Sequence, residues 1–263
     1  MIKNKEKTMD GVIIKSREEI DIMREGGRIL AAILNELSEA VKSGIKTFDL
    51  EVLAEKLILK YGVKAAFKDY SLMGSQKYPN ILCVSVNEEI VHAIPSERIL
   101  TEGDIVSLDC GIWHKGLCLD MAITVPVGKI LPETGRLIKV TKKSLKRALR
   151  KIKSGNTTGD IGNSIERYVK SQGFSVIRDL FGHGVGKKVH EEPAIPNFGK
   201  RRGGVILRTG MTIAVEPMVS MGDYKTVGCD DGWGIRTADK SLSAHFEHTI
   251  AVMENGCEVL TMH

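Results

Sequence analysis

Two stretches of this chain align without a gap at an offset of 111 residues: KSGIKTFDLEVLAEKLILKYG at 42–62 and KSGNTTGDIGNSIERYVKSQG at 153–173. Ser43 matches Ser154, Gly44 Gly155, Thr47 Thr158, Asp49 Asp160, Leu50 Ile161 and Gly62 Gly173. Each copy reads as a turn, a threonine placed to cap a helix, an amphipathic run and a closing glycine suited to a C-cap. A helix precedes each copy. Ser16 to Glu19 has the form of a capping box leading into IDIMREGGRILAAILNELSEAV, and KVTKKSLKRALRKIK at 139–153 fills that place before the second copy. Strand-like runs follow each copy: ILCVSV and DIVSLDCGI after the first, MTIAVEPMV and FEHTIAVM after the second. Two helices and then antiparallel strands, twice over, predict an α+β fold with helices packed on a sheet. The halves fall at about 13–130 and 131–263 of a single domain, behind a short leader at 1–12.

Composition agrees with a globular chain of this size, 42% hydrophobic over 263 residues. Five cysteines without any C-x-x-C pair fit neither a disulfide framework nor a zinc knuckle, so a reduced, cytoplasmic setting is expected. The leader MIKNKEKTMDG is basic but lacks an apolar run, and no stretch is long enough to cross a bilayer. Much of the net charge of +5 sits in residues 139–153, where Val140, Leu145, Ala148, Leu149 and Ile152 form one apolar stripe under lysines and arginines. Such a run is ordinarily a solvated helix face; its alternative is a docking surface for an RNA-rich partner.

Carboxylates occur where strands should be apolar. In IVSLDCGIWHKGLCLDMAITV the turn candidate is His114-Lys115-Gly116, with Asp109 and Asp120 symmetric about it. A two-residue loop at 114 and 115 would pair 109 directly with 120, Cβ atoms about 5 Å apart on one face. A three-residue loop with Gly116 left-handed would shift that register and need a bulge to restore the shared face. Two ionised carboxylates so placed repel by about 3 kcal/mol at an effective dielectric near 20, a conflict that a cation removes. Glu216 in TIAVEPMV and Glu247 in AHFEHTIAV stand in the same apolar context, and buried glutamates need partners. His183, in the glycine-rich stretch FGHGVGKKVHEEP that also carries His190, offers a neutral nitrogen. Asp109, Asp120, His183, Glu216 and Glu247 then make four carboxylates and one imidazole, a charge that balances two divalent cations. Oxygen-rich ligation with no thiolate suits manganese, iron, cobalt or zinc in a hydrolytic pair.

With these residues the sequence resembles the methionine aminopeptidases of type I, bacterial kind, within the M24 pita-bread metallopeptidases. The motifs that carry the resemblance are NEEIVHAIP, GDIVSLDCG, LDMAIT, FGHGVGKKVHEEP, MTIAVEPM and SAHFEHTIAV, spread from about Ile13 to Leu260. The resemblance implies a pita-bread fold, two pseudo-symmetric halves with helices packed on a curved antiparallel sheet. It implies two divalent ions, cobalt, manganese, iron, zinc or nickel, with Asp109 terminal on one, His183 and Glu216 on the other, and Asp120 and Glu247 bridging. Removal of the initiator methionine from nascent chains follows when the second residue is small. Such an ion pair lowers the pKa of shared water from about 15.7 toward neutrality. In the resemblance Glu216 is the proton shuttle, His190 contacts the scissile peptide and His92 sits near the substrate amine. Tyr78, Cys83 and Trp233 match methionine-pocket positions. A monomer acting on methionyl peptides and nascent chains is expected, with a possible ribosome contact through the basic helix, no specific DNA binding and no membrane.

Several positions depart from the family pattern. SLMGSQK at 71–77 puts Leu72 and Ser75 where pocket-lining residues are usual, and Val189 stands where an aromatic is frequent. Cys118 shares a strand face with Asp120; a small core residue is its bland reading. His245 replaces a common glutamine and shares a face with Glu247, so it is a candidate donor behind the ligands. Two other readings stand beside the leading one. A proline-specific peptidase of the same superfamily normally carries a large N-terminal domain, whereas only about a dozen residues precede the first helix here. A catalytically dead binding module would have lost ligands, and all five are present.

Overall fold

The computed structural model describes residues 11–71 and 76–262; Leu72 and Ser75, and residues 1–10 of the leader, lie outside them. The first half comprises α1 (Arg17–Ala40), α2 (Thr47–Tyr61), β1 (Lys64–Ala65), β2 (Leu82–Val86), β3 (Glu89–Val91), β4 (Ile105–His114) and β5 (Leu117–Pro126). The second begins with α3 (Pro132–Leu149), α4 (Thr158–Ser171), β6 (Ser175–Val176), β7 (Phe181–Gly184) and β8 (Glu191–Pro196). It ends with β9 (Thr212–Val215), β10 (Met218–Ser220), β11 (Thr226–Gly228), β12 (Ile235–Thr237), β13 (Ser243–His245), β14 (Glu247–Met253) and β15 (Gly256–Val259).

The expected capping box opens α1: Glu19 N–H donates to Ser16 Oγ at 3.2 Å and Ser16 N–H to the Glu19 carboxylate at 2.7 Å. Its stripe of Leu30, Ile33, Leu34 and Leu37 is fully buried, worth roughly 1.5–3 kcal/mol per side chain. The repeat copies form α2 and α4, with a correction at their starts. Thr47 and Thr158 are the first helical residues rather than the caps. Thr157 caps α4, whereas Lys46 holds that place in α2 and its N–H donates to the Asp49 carboxylate at 2.9 Å. The two threonine hydroxyls bind the passing chain instead, accepting from Ser96 N–H at 2.8 Å and from Val205 N–H at 3.2 Å. Matching backbone bonds run from Gly44 to Leu100 and Gly155 to Leu207, and from Thr47 to Arg98 and Thr158 to Val205. Each helix start is thereby tied to the segment that leads into β4 or β9.

The basic segment is less uniform than its pattern implied. Helix α3 ends at Leu149, which is half-buried, and Thr141 and Ser144 join Val140, Leu145 and Ala148 on the buried face. Their hydroxyls are satisfied by donating to the carbonyls of Leu137 and Thr141. Ile152 is buried from the turn beyond the helix. Val12, assigned to the leader, is buried in the core of the second half, so the packed chain includes it.

A nine-stranded sheet runs β1-β4-β5-β14-β9-β7-β8, with β2 beside β4 and β15 beside β14, and every pairing is antiparallel. Strand alternation sorts its two faces. Leu108, Cys110 and Ile112 enter the core beneath α1 and α2, while Ile213, Val215, Ile250 and Val252 enter the core beneath α3 and α4. The opposite face carries Asp109, Ala122, Ala214, Glu247 and Thr249. The β4–β5 turn is Lys115-Gly116, both residues left-handed at φ 47° and 82°, not His114-Lys115. The register therefore pairs Asp109 with Ala122 and Asp120 with Gly111, two residues away from the expected direct pair. A shift of two keeps both aspartates on one face without a bulge.

Candidate metal centre

Two rows of residues cross the sheet and bring the acids together. Asp109 on β4 faces Ala122 on β5, which faces Glu247 at the head of β14. His183 on β7 faces Ala214 on β9, which faces Thr249 on β14. Thr249 joins this row to Asp120: its Oγ1 accepts from Asp120 N–H at 2.9 Å and donates to Asp120 O at 2.8 Å. Glu216 does not lie inside a strand, as its apolar flanks suggested; with Pro217 it fills the break between β9 and β10. The chain bends there and carries the carboxylate over the sheet toward His183, whose Nε2 is 3.7 Å from Glu216 Oε1 and 4.0 Å from Asp120 Oδ2.

The two histidines of the glycine-rich stretch do converge, with ring centroids 4.1 Å apart. Glycine flanks His183 because β7 is sandwiched between carbonyls. A Cβ on Gly182 would stand 2.3 Å from Ala214 O, and one on Gly184 would stand 2.2 Å from Glu192 O. His183 Nδ1 bonds Gly184 O at 2.8 Å, which requires an N–H there and leaves Nε2 as a free lone pair facing the acids. The turn that follows is pinned by Glu191, which accepts from the N–H groups of Lys187 and Lys188 and pairs with buried Lys15. Burial lowers the Lys15 pKa, opposed by that pairing.

Ionisation in the centre is governed by burial. Asp109, Glu216 and Glu247 are raised well above the carboxylate range, by desolvation first and by neighbouring carboxylates second. Burial also raises Asp120, to about 7. His183 and His245 are pushed down to about 3, and His92 and His190 to about 4, again by desolvation. Burial thus favours the neutral form of all four imidazoles, the form that metal ligation requires. Asp109 Oδ1 and Glu247 Oε1 are buried without a hydrogen-bond partner. Asp120, His183 and Glu247 each offer one donor atom within 4.8 Å of one another, and so do Glu216, His245 and Glu247. Orphaned carboxylate oxygens, neutral imidazoles and two donor trios sharing one glutamate fit divalent metal ions. Asp109 is in neither trio, but its electrostatic coupling to Asp120 places it beside them.

The four acids and His183 line one side of a small cavity of about 50 Å³, whose other walls are Tyr78, Cys83, His92, His190 and Trp233, with Phe67 and Tyr70. Tyr78 meets the Trp233 ring edge-on at 5.2 Å and anchors its hydroxyl on Leu82 O at 3.0 Å. Tyr70 was not singled out in the sequence, yet its hydroxyl bonds His190 Nδ1 at 2.5 Å. Only its place just before the unusual 71–77 loop hinted at it. His92 sits at φ 61°, a left-handed conformation rare for a non-glycine residue. Cys118 takes its bland reading, a buried core residue whose N–H donates to Gly186 O. Val189 is likewise buried in the first core and does not line this cavity. His245 faces the acids directly, with Nε2 3.6 Å from Glu216 Oε2 and 3.8 Å from Glu247 Oε2.

Residues 21–254 match Metallopeptidase family M24. The chain belongs to that family. It is 45% identical over 251 residues to a methionine aminopeptidase of Clostridium perfringens, covering 95% of this chain and 99% of that one. It is 42% identical to methionine aminopeptidase 1 of Bacillus subtilis, again over 95% of this chain and 99% of the relative. The crystal structure of a methionine aminopeptidase from Thermotoga maritima superposes with a TM-score of 0.91 at 44% identity, over 96% of this chain and 100% of that one. Within M24 the chain therefore stands with the bacterial methionine aminopeptidases, and its curved sheet is the pita-bread fold. A prolidase from Pyrococcus furiosus shares the fold alone, at 22% identity, with a TM-score of 0.75 over 95% of this chain and 65% of that one. Among the described residues no helix is long and apolar enough to cross a membrane.

Proposed function

We propose that this chain is a methionine aminopeptidase that removes the initiator methionine from peptides and nascent chains with a small second residue. The observation that carries the reading is the juxtaposition of four buried carboxylates with a small aromatic socket, in a chain of this family. Asp109, Asp120, His183, Glu216 and Glu247 would hold two divalent ions, cobalt, manganese, iron, zinc or nickel. Ions held there supply Lewis-acid polarisation of the scissile carbonyl and acidify water from a pKa of about 15.7 toward neutrality.

The chain's own groups do the rest. Glu216, ionised beside the cations it would help to hold, would take a proton from water and return it to the leaving nitrogen. Burial raises the Tyr70 phenol as well, so it keeps its proton and donates to His190 Nδ1. That bond leaves Nε2–H of His190 as the donor to the scissile peptide. His92 orients the substrate amine. Tyr78, Cys83 and Trp233, with Phe67 and Tyr70, receive the methionine side chain, whose thioether gains about 0.3–1.5 kcal/mol against aromatic rings. The unit is one catalytic domain whose packed chain begins with Val12 and runs to the C-terminal segment, acting as a cytoplasmic monomer.

Contact with the ribosome belongs to the same reading. Arg147, Arg150, Lys151, Lys153, Arg167 and Arg201 line a surface cavity of about 620 Å³ in which Asp160 is the one acid among the described residues. Such a groove suits a phosphate backbone, and its binding to ribosomes should weaken steeply between about 50 and 200 mM salt.

A peptide series with manganese tests the activity. Met-Ala and Met-Gly should be cleaved rapidly and Met-Leu and Met-Lys slowly. Norleucyl-Ala should be cut somewhat less well than Met-Ala, and Val-Ala poorly, because a β-branched side chain clashes with the socket. Preferential cleavage of Ala-Pro would move the assignment to the proline-specific branch.

A further inference from the structure

His245 stands at the end of β13 and is held there by its main chain. Its N–H donates to Thr124 Oγ1 at 2.8 Å, and that hydroxyl in turn donates to His245 O at 2.8 Å. Strand β13 pairs with β10 so that His245 faces Met218, two residues past Glu216. The side chain is thus delivered to the acids by a strand that is not part of the nine-stranded sheet. It is 1% exposed, and neither ring nitrogen has a hydrogen-bond partner.

Its separations from the acids carry the argument. Nε2 lies 3.6 Å from Glu216 Oε2 and 3.8 Å from Glu247 Oε2, too far for hydrogen bonds. Two ligands that each stand about 2.0–2.2 Å from a common ion are about 3–4 Å from each other. The donor trios repeat this layout: Asp120, His183 and Glu247 form one, Glu216, His245 and Glu247 the other, with Glu247 common to both.

We infer that His245 is a sixth metal ligand, so that each of the two ions has one imidazole, His183 on one and His245 on the other. This rests on the metal centre proposed above and changes its make-up. The family resemblance implies a single imidazole, placed with Glu216 on one ion. A second nitrogen donor raises affinity most for cobalt, nickel and zinc and least for manganese, following the usual order of divalent metals on imidazole.

The test uses the full chain, freed of metal by chelation and reloaded anaerobically with two equivalents of Zn²⁺ or Co²⁺. X-ray absorption counts the imidazoles per ion pair, and calorimetry reads the affinities of wild type and His245→Gln, with circular dichroism confirming the variant's fold. Two imidazoles per pair are expected in the wild type and one in His245→Gln, with Co²⁺ binding at one site weakened about tenfold or more and Mn²⁺ binding weakened less. One imidazole per pair in the wild type would overturn the inference and leave His245 as a neighbour of the ligands, whatever the variant does. Failure of the wild type to bind any divalent ion would instead overturn the metal centre itself.

Discussion

Replacing Asp120 by asparagine should stabilise the metal-free protein and destabilise the metal-loaded one. Asp120 is buried among Asp109, Glu216 and Glu247, and its pKa rises from 3.8 to about 7. Holding it ionised at pH 8 therefore costs roughly 4 kcal/mol. The cause is loss of water around the carboxylate on burial, opposed by the bonds it makes to Asp109 and to Met121 N–H. Asparagine has the same shape and its Oδ1 can keep the bond from Met121 N–H at 2.9 Å, so little packing is lost. Without metal at pH 8, Asp120→Asn should be more stable by about 2 kcal/mol, a Tm roughly 4–8 °C higher. Because the folded-state pKa is raised, the wild type's stability from this group is complete below about pH 4 and is lost as pH rises through 7. The gap between the two proteins should accordingly be small at pH 5.5. Metal reverses the order, since each ion at a hundredfold excess over its Kd adds about 2.7 kcal/mol to the wild type. Scanning calorimetry with chelator and with manganese, at both pH values, reads all four states. A metal-free Asp120→Asn protein less stable than wild type at pH 8 would refute the reasoning, and so would a gap that does not change with pH. Turnover should be abolished in the same variant; near-normal activity would remove Asp120 from the centre.

His190→Ala should lower kcat by about 10² or more at unchanged metal content, and loss of metal would make it a ligand instead. Tyr70→Phe removes only the hydroxyl that holds His190 Nδ1, so kcat should fall roughly three- to tenfold, the worth of one hydrogen bond; an unchanged kcat would leave His190 positioned by other contacts. Gly27→Ala should destabilise the fold by about 1–3 kcal/mol despite the better helix propensity of alanine, because the new Cβ would stand 2.1 Å from Leu260 O. An unshifted denaturation midpoint would mean that the C-terminal segment does not pack on α1.

What the sequence determined by itself was local or periodic. The capping box at Ser16, the paired copies that became α2 and α4, and the anomaly of acids inside apolar runs all follow from spacing along a few residues, where backbone geometry fixes which side chains share a face. Five ligand candidates could be collected in this way because an ionisable group among valines and isoleucines is conspicuous wherever the chain takes it. Where an exact local conformation mattered, the reading slipped. Lys115 and Gly116, not His114 and Lys115, make the β4–β5 turn, since both must take positive φ in a two-residue hairpin and glycine accepts this at the second place. Thr47 and Thr158 sit one residue inside their helices and bind the passing chain, a bond that exists only once that chain has arrived.

The tertiary structure alone decided which distant groups meet. Glu216 reaches His183 because the chain breaks at Pro217, and His245 reaches Glu216 because β13 pairs with β10 in a separate sheet. Tyr70 reaches His190 across 120 positions of sequence, and Lys15 reaches Glu191 across 176. Neither tyrosine nor lysine is conspicuous in its own stretch. Such encounters depend on the closure of the curved sheet and the packing of its loops, so no short-range pattern encodes them; the acids fold into one cluster only when both halves close over them.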